Sequence, residues 1–147
     1  MRFEHKVVVD APRQTVQDFL NDFNKSAYCV PGLHDLKDLG GDAYEGKIRV
    51  RIGPIGLDVG GKAQIERQDS GWHVKGEGND RRVGASMSAN VEAKIDELSA
   101  QQTQVEVIAD VQFAGRLAEL GQPLIKRKAD SFVGEFAQNL RKAINAG

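Results

Sequence analysis

Cysteine is nearly absent from this sequence: Cys29 stands alone among 147 residues, so no intrachain disulfide can form and a reducing compartment suits the chain. An excess of charge of one sign is missing as well. Twenty Lys and Arg against 21 Asp and Glu leave a formal charge of −1, which gives no reason to expect nucleic acid as a partner. No apolar run approaches the roughly 20 residues that a membrane-spanning helix needs. The N-terminus does not read as a secretory signal, because Arg2, Glu4, His5 and Lys6 come before any apolar run. Histidine is limited to His5, His34 and His73, scattered without the paired spacing of a metal site, and each reads as a surface or edge residue. The chain therefore reads as soluble and cytoplasmic. Its length suits one domain, residues 1–147, able to bury about two-thirds of its unfolded surface.

What is present is alternation. From Ala85 to Ile95 every odd position is apolar, and every even position from Ser86 to Asp96 is polar. The pattern returns at Val105, Val107, Ala109, Val111 and Phe113, broken on the outer side only by Ile108. Such spacing predicts strands with one wet face and one face against a core. Met87, Val91, Ile95 and Leu98 also satisfy a helical period, but the unbroken alternation and the turn spacing favour strand. Further strands are predicted at Phe3 to Val9, weakly at Leu33 to Leu39, at Tyr44 to Ile52, at Leu57 to Glu66 and from Trp72 to Gly78. Gly40-Gly41-Asp42, Gly53-Pro54 and Asp69-Ser70-Gly71 supply the turns.

Two stretches read as helix. Pro12 suits a first helical position, and Val16, Phe19, Leu20 and Phe23 then share one face, with a loop or short second helical turn at Tyr28 to Gly32. From Leu117 onward the period becomes 3.6, with Leu120, Leu124, Phe132, Phe136, Leu140 and Ile144 near one stripe. Pro123 demands a kink or a restart near Gly121. The order is strand, helices, antiparallel strands, then a long helix, an α+β layout.

The inner face of the sheet is built largely from small residues. Gly61, Ala63, Gly76, Gly78, Ala85, Ala89 and Ala93 either let a helix approach a curved sheet closely or leave a hollow beneath it. In the second case the candidate ligand-binding walls are Ile48, Val50, Val59, Trp72, Val74, Met87, Val91, Phe113, Leu120, Leu124 and Phe132.

Several segments, in order, resemble the G-subunit family of carbon monoxide dehydrogenase: "YCVPG" at Tyr28 to Gly32, "YEGKIRVRIGPI" at Tyr44 to Ile55, "GEGND" at Gly76 to Asp80 and "AGRLAELG" at Ala114 to Gly121. The resemblance implies a START-like helix-grip fold, a curved antiparallel sheet of about seven strands around a long C-terminal helix, with two short helices after the first strand. It also implies a non-enzymatic accessory protein beside a molybdenum hydroxylase, binding a quinone or other lipid, with peripheral contact at the inner membrane face. Two departures stand out. Gln17 occupies a position where the family usually carries an aromatic, and the sequence ends at Gly147 without the proline-rich linker and anchor of some members, so no tether of its own is expected.

Other chemistry-bearing residues give weaker signals. Cys29 has only Lys25 as a basic residue nearby, so it reads as a small buried hydrophobe. Asp22, Asp35, Asp38 and Glu45 form no recognisable acid–base pair, and "GEGND" lacks the spacing and the following helix of a dinucleotide fingerprint. Lys47, Arg49 and Arg51, and Lys126-Arg127-Lys128, are the basic clusters. They read as solvated faces, or in the second case as a contact with an anionic membrane or an acidic partner. No catalytic residue, metal or cofactor is expected. The rival readings are an interaction protein with a filled core and a small cyclase or hydrolase working in the same cavity.

Overall fold

In the computed structural model, which describes residues 1–146, the chain begins with strand β1 (Arg2–Val9) and helix α1 (Arg13–Asn21). A short helix α2 (Phe23–Ser26) and a 3₁₀ turn at Ala27–Cys29 follow. Six strands come next: β2 (Leu33–Gly40), β3 (Ala43–Ile52), β4 (Ile55–Gln68), β5 (Gly71–Asp80), β6 (Ala85–Ser99) and β7 (Gln102–Gly115). A 3₁₀ turn at Arg116–Leu120 leads into helix α3 (Gln122–Ala146). The seven strands form one antiparallel sheet in the order β1-β7-β6-β5-β4-β3-β2.

Pairing on both sides decides the one ambiguous segment. Residues Ala85–Ser99 lie between β5 and β7, so the alternation, not the helical period, sets their conformation. Pro12 sits one position earlier than its sequence reading, as the extended residue that caps α1. Gly121, with φ +88°, ends the 3₁₀ turn, and Pro123 then falls in the first turn of α3, where its missing N–H costs nothing. Ile108, the exception on the outer face of β7, is buried.

The register lines small residues up across the sheet. One row runs Gly46–Gly61–Gly78–Met87–Phe113, and the next runs Tyr44–Ala63–Gly76–Ala89–Val111. At Gly61 any Cβ would lie 2.1 Å from the carbonyl oxygen of Glu77, so only glycine permits that approach of β4 to β5. The sheet consequently bends around α3 but cannot touch it everywhere. Val133, Phe136, Ala137, Leu140 and Ile144 pack tightly with Val16 and Leu20 of α1 and with the inward residues of β1 and β7. Asn139 Nδ2 donates to the Cys29 carbonyl at 2.9 Å, and Thr103 Oγ1 to the Ala11 carbonyl at 2.8 Å, which ties the connections to this core. The turns of α3 just before this core, Lys128 to Phe132, by contrast border the space over the row of glycines.

Candidate functional site

Beneath the concave face, between β2 to β7 and the N-terminal half of α3, lies a cavity of about 290 Å³. Glycine and alanine form its floor at Gly46, Gly61, Ala63, Gly76, Gly78 and Ala89, and α3 covers it with Ala129, Phe132, Val133 and Phe136. The space exists because side chains without bulk stand opposite a helix held off by its own far end, where the packing is tight. Nine of the eleven residues singled out from sequence line it: Ile48, Val50, Val59, Trp72, Val74, Met87, Val91, Phe113 and Phe132.

Leu120 and Leu124 do not. They pack instead beside Ile52, Leu57, Val59 and Leu117 in a smaller apolar cluster at one end of the sheet. The reason is the break at Gly121, which places Leu120 in the 3₁₀ turn, while Leu124 reaches the tip of the β3–β4 hairpin at Gly53. Sequence reading also missed a wall. Phe23, Ala27, Val30, Leu33 and Leu36 close the side formed by α2, the following turn and β2. Their signal was the apolar stretch after α1, which period alone did not attach to the sheet.

Few polar groups face this space. Ser26 Oγ is buried and donates to the Leu20 carbonyl at 3.4 Å. Tyr44 is tilted against Phe23 with ring centroids 4.6 Å apart. Burial, and after it the nearby Asp38 carboxylate, raises the Tyr44 phenol above its ordinary pKa and keeps it neutral. Trp72 is 3% exposed and its indole Nε1–H has no hydrogen-bond partner. Lys128 is the one basic residue that α3 brings to the lining. Glu45, Lys62 and Glu77 border the cavity too, on strands where their alternation with inward Gly46, Gly61 and Gly78 directs the side chains outward.

Elsewhere the titratable groups are engaged in structure. Burial pushes the Cys29 thiol up to about 11, which disfavours the reactive thiolate. His5 meets Asp130 at 2.8 Å, His34 meets Asp58 at 2.8 Å, and His73 lies 3.9 Å from Glu66, on three separate parts of the fold. Among the described residues no three His, Cys, Asp or Glu side chains converge as a metal site would require. Asp80, at the end of "GEGND", is 4% exposed. It accepts from the Asp58 N–H at 2.9 Å, the Arg82 N–H at 3.1 Å and Arg82 Nη2 at 2.9 Å. The Arg82 guanidinium, foremost, and these backbone donors hold its pKa down at about 2. On the convex face Arg49, Arg51 and Arg82 border an open groove with Asp58. Among the described residues no helix is long and apolar enough to cross a membrane.

A family model described as the G subunit of carbon monoxide dehydrogenase (CoxG) matches residues 6–145. No curated protein matches the chain by sequence. Among solved structures, a conserved protein from Geobacillus kaustophilus superposes with a TM-score of 0.82 at 17% identity, over 99% of this chain and 96% of that one. A START superfamily protein from Mycobacterium smegmatis gives 0.73 at 14% identity, over 99% and 97%. The ZhuI aromatase/cyclase from Streptomyces sp. R1128 gives 0.72 at 15% identity, over 98% and 93%. These likenesses establish the fold as START-like, with the long helix gripped by the sheet.

Proposed function

Because the chain belongs to the CoxG family, the G-subunit family of carbon monoxide dehydrogenase, we propose that it is a non-catalytic accessory protein that holds one apolar molecule between sheet and helix, in the service of a molybdenum-containing, carbon monoxide dehydrogenase-like enzyme. The observation that carries this reading is the cavity of about 290 Å³ with its almost wholly apolar lining. Its size falls at the lower edge of ordinary ligand pockets, ~300–1,000 Å³. Removing roughly 300 Å² of apolar ligand surface from water contributes about 7 kcal/mol gross at ~25 cal/mol/Å². That gross figure is already below the ~8 kcal/mol of micromolar binding, and association costs reduce it further, so apolar burial of this size alone gives binding weaker than micromolar. A flat ring with a short tail, such as a quinone headgroup, suits this shape and would give a dehydrogenase an electron acceptor held apart from water.

The likeness to an aromatase/cyclase favours a second reading, an enzyme in the same cavity. Chemistry on a polyfunctional substrate needs inward acids and bases. Here the inward strand positions that line the cavity carry no carboxylate and no histidine, and the buried carboxylate farther along that face of β5, Asp80, is bound by Arg82 outside the lining, so the carrier reading is the better supported. A protein acting only through its surface would have no use for an open interior.

The test is a titration of the purified protein with a short-chain quinone and with a fluorescent lipid. Saturable one-to-one binding is expected, without turnover of either probe. Linear, unsaturable uptake would remove the carrier reading, and conversion of a polyketide-like substrate would replace it with the enzyme.

A further inference from the structure

The convex face of β3 carries a row of positive charge that the protein itself does not answer. Lys47, Arg49 and Arg51 alternate with Ile48 and Val50 of the cavity lining, and all three are exposed. Lys47 lies 3.8 Å from Asp35. Arg49 and Arg51 make neither an ion pair nor a side-chain hydrogen bond with any described residue. The register puts Arg49 directly opposite Asp58, where a cross-strand ion pair is the ordinary outcome. His34 takes that carboxylate instead, at 2.8 Å. Opposite Arg51 stands Gly56, so the guanidinium lies over bare backbone, and a Cβ there would be 3.6 Å from its Nη1. Arg82 borders the same groove from the β5–β6 turn. Asp80 holds it through Nε at 3.3 Å and Nη2 at 2.9 Å, which leaves Nη1 unengaged on a side chain that is 70% exposed.

From this arrangement we infer that the groove is a docking surface for an acidic segment of a partner protein, an extended stretch with Asp or Glu at alternate positions. Two features select that partner. Guanidinium forks match carboxylates through two parallel hydrogen bonds, a geometry that lysines do not offer. The cations are also drawn out in a line. Residues two apart on a strand stand about 7 Å from each other, the spacing that alternate side chains have on one side of an extended peptide. A compact phosphate shared between Arg49 and Arg82 would meet the Asp58 carboxylate, because β4 lies between them. Separate carboxylates set along β3 avoid it.

Nothing in this inference depends on what the cavity holds. The groove lies on the other side of the sheet, so a partner seated there leaves α3 and the interior free. Val50 and Leu57 border both spaces, which puts the docked segment one sheet thickness away from the cavity.

Two peptides of one composition make the test on the full chain: Ser-Glu-Ser-Glu-Ser-Glu-Ser, with its acids alternating, and Ser-Ser-Glu-Glu-Glu-Ser-Ser, with the same acids in a block. Inorganic phosphate at matched ionic strength is the third probe. Followed by nitrogen-edited NMR at low salt, where exposed charges are least screened, the alternating peptide should saturate and shift the Nε–H signals of Arg49 and Arg51. It should bind about fivefold tighter than the block peptide, the worth of one or two exposed ion pairs set in register. That margin should vanish in Arg49→Gln combined with Arg51→Gln. It should persist when Lys126→Gln and Arg127→Gln remove two exposed charges from α3 instead. Equal binding of the two peptides, a result read on the wild type alone, would show bare charge attraction and overturn the inference. Phosphate binding tighter than the alternating peptide would overturn it in favour of a small-anion site. Absence of saturable binding by either peptide would overturn it too, and none of these results touches the carrier reading.

Discussion

Asp80 is a buried carboxylate held by the Arg82 side chain and two backbone N–H groups. The Arg82 side chain and the N–H groups of Asp58 and Arg82 hold its pKa at about 2, against an ordinary 3.8. A depressed carboxylate contributes stability that is fully present above the unfolded value and is lost as pH falls through the folded one. Urea midpoints should therefore drop between about pH 4 and pH 2. Asp80→Asn should lower the midpoint at pH 7 and flatten that acid limb, and an unaltered limb would show that the charge of Asp80 contributes nothing. Cys29 gives a second check. With a thiol pKa of about 11 the thiolate fraction at pH 8 is on the order of one in a thousand. Folded protein should therefore react with a thiol reagent far more slowly than urea-unfolded protein, and equal rates would mean an open site. Sequence reading reached the burial of Cys29, because nothing basic adjoins it. It could not reach Asp80, whose Asp58 partner lies 22 residues away, or the orphan N–H of Trp72, since hydrogen-bond satisfaction is a property of three dimensions.

Helix α3 is two devices in one element. Its C-terminal half is core, and Leu140, fully buried against β1, β7 and α1, anchors it. Leu140→Ala should cost about 2–5 kcal/mol by denaturant unfolding, and a loss under 1 kcal/mol would mean that this end packs loosely. The N-terminal half is a lid over small residues. Ala89→Leu, pointing into the space it covers, should leave stability unchanged or raise it by ~0.5–2 kcal/mol, while weakening ligand binding at least tenfold. Destabilisation instead would show that the region is already filled. The strands were legible because alternation carries through Ala85 to Ile95 without a fault, and the row of glycines and alanines announced a bent sheet with either contact or space beneath it. Which of the two obtains depends on how far α3 stands off, a distance no periodicity encodes. The misplacement of Leu120 and Leu124 has a local cause. Gly121 separates the 3₁₀ turn from α3, so the apolar stripe that looks continuous in sequence belongs to two elements: Leu117 of the first lines the cavity while Leu120 does not, and Leu124 of the second reaches the β3–β4 tip at Gly53.

Across the whole molecule charge is nearly balanced, 20 basic against 21 acidic residues, yet it is not evenly spread. The antiparallel order puts the β3–β4 tip at Gly53, the β5–β6 turn at Arg81 to Gly84 and the exit of β7 at one end of the sheet. Leu124 meets Gly53 and Arg116 meets Gly84 there, so the basic run Lys126-Arg127-Lys128 begins beside the same end, next to the cavity that Lys128 borders. Each exposed cation near an anionic bilayer is worth ~1 kcal/mol. Lys126→Glu combined with Arg127→Glu should accordingly reduce flotation with anionic vesicles and leave the fold intact, whereas equal flotation of both proteins would dismiss that end as a membrane contact. The central claim concerns the interior, and native mass spectrometry tests it most directly. Wild-type protein titrated with a short-chain quinone should show a single adduct that saturates at one per chain, and Ala89→Leu should not show it. No adduct on the wild type, or the same adduct on both proteins, would contradict a guest held beneath the sheet.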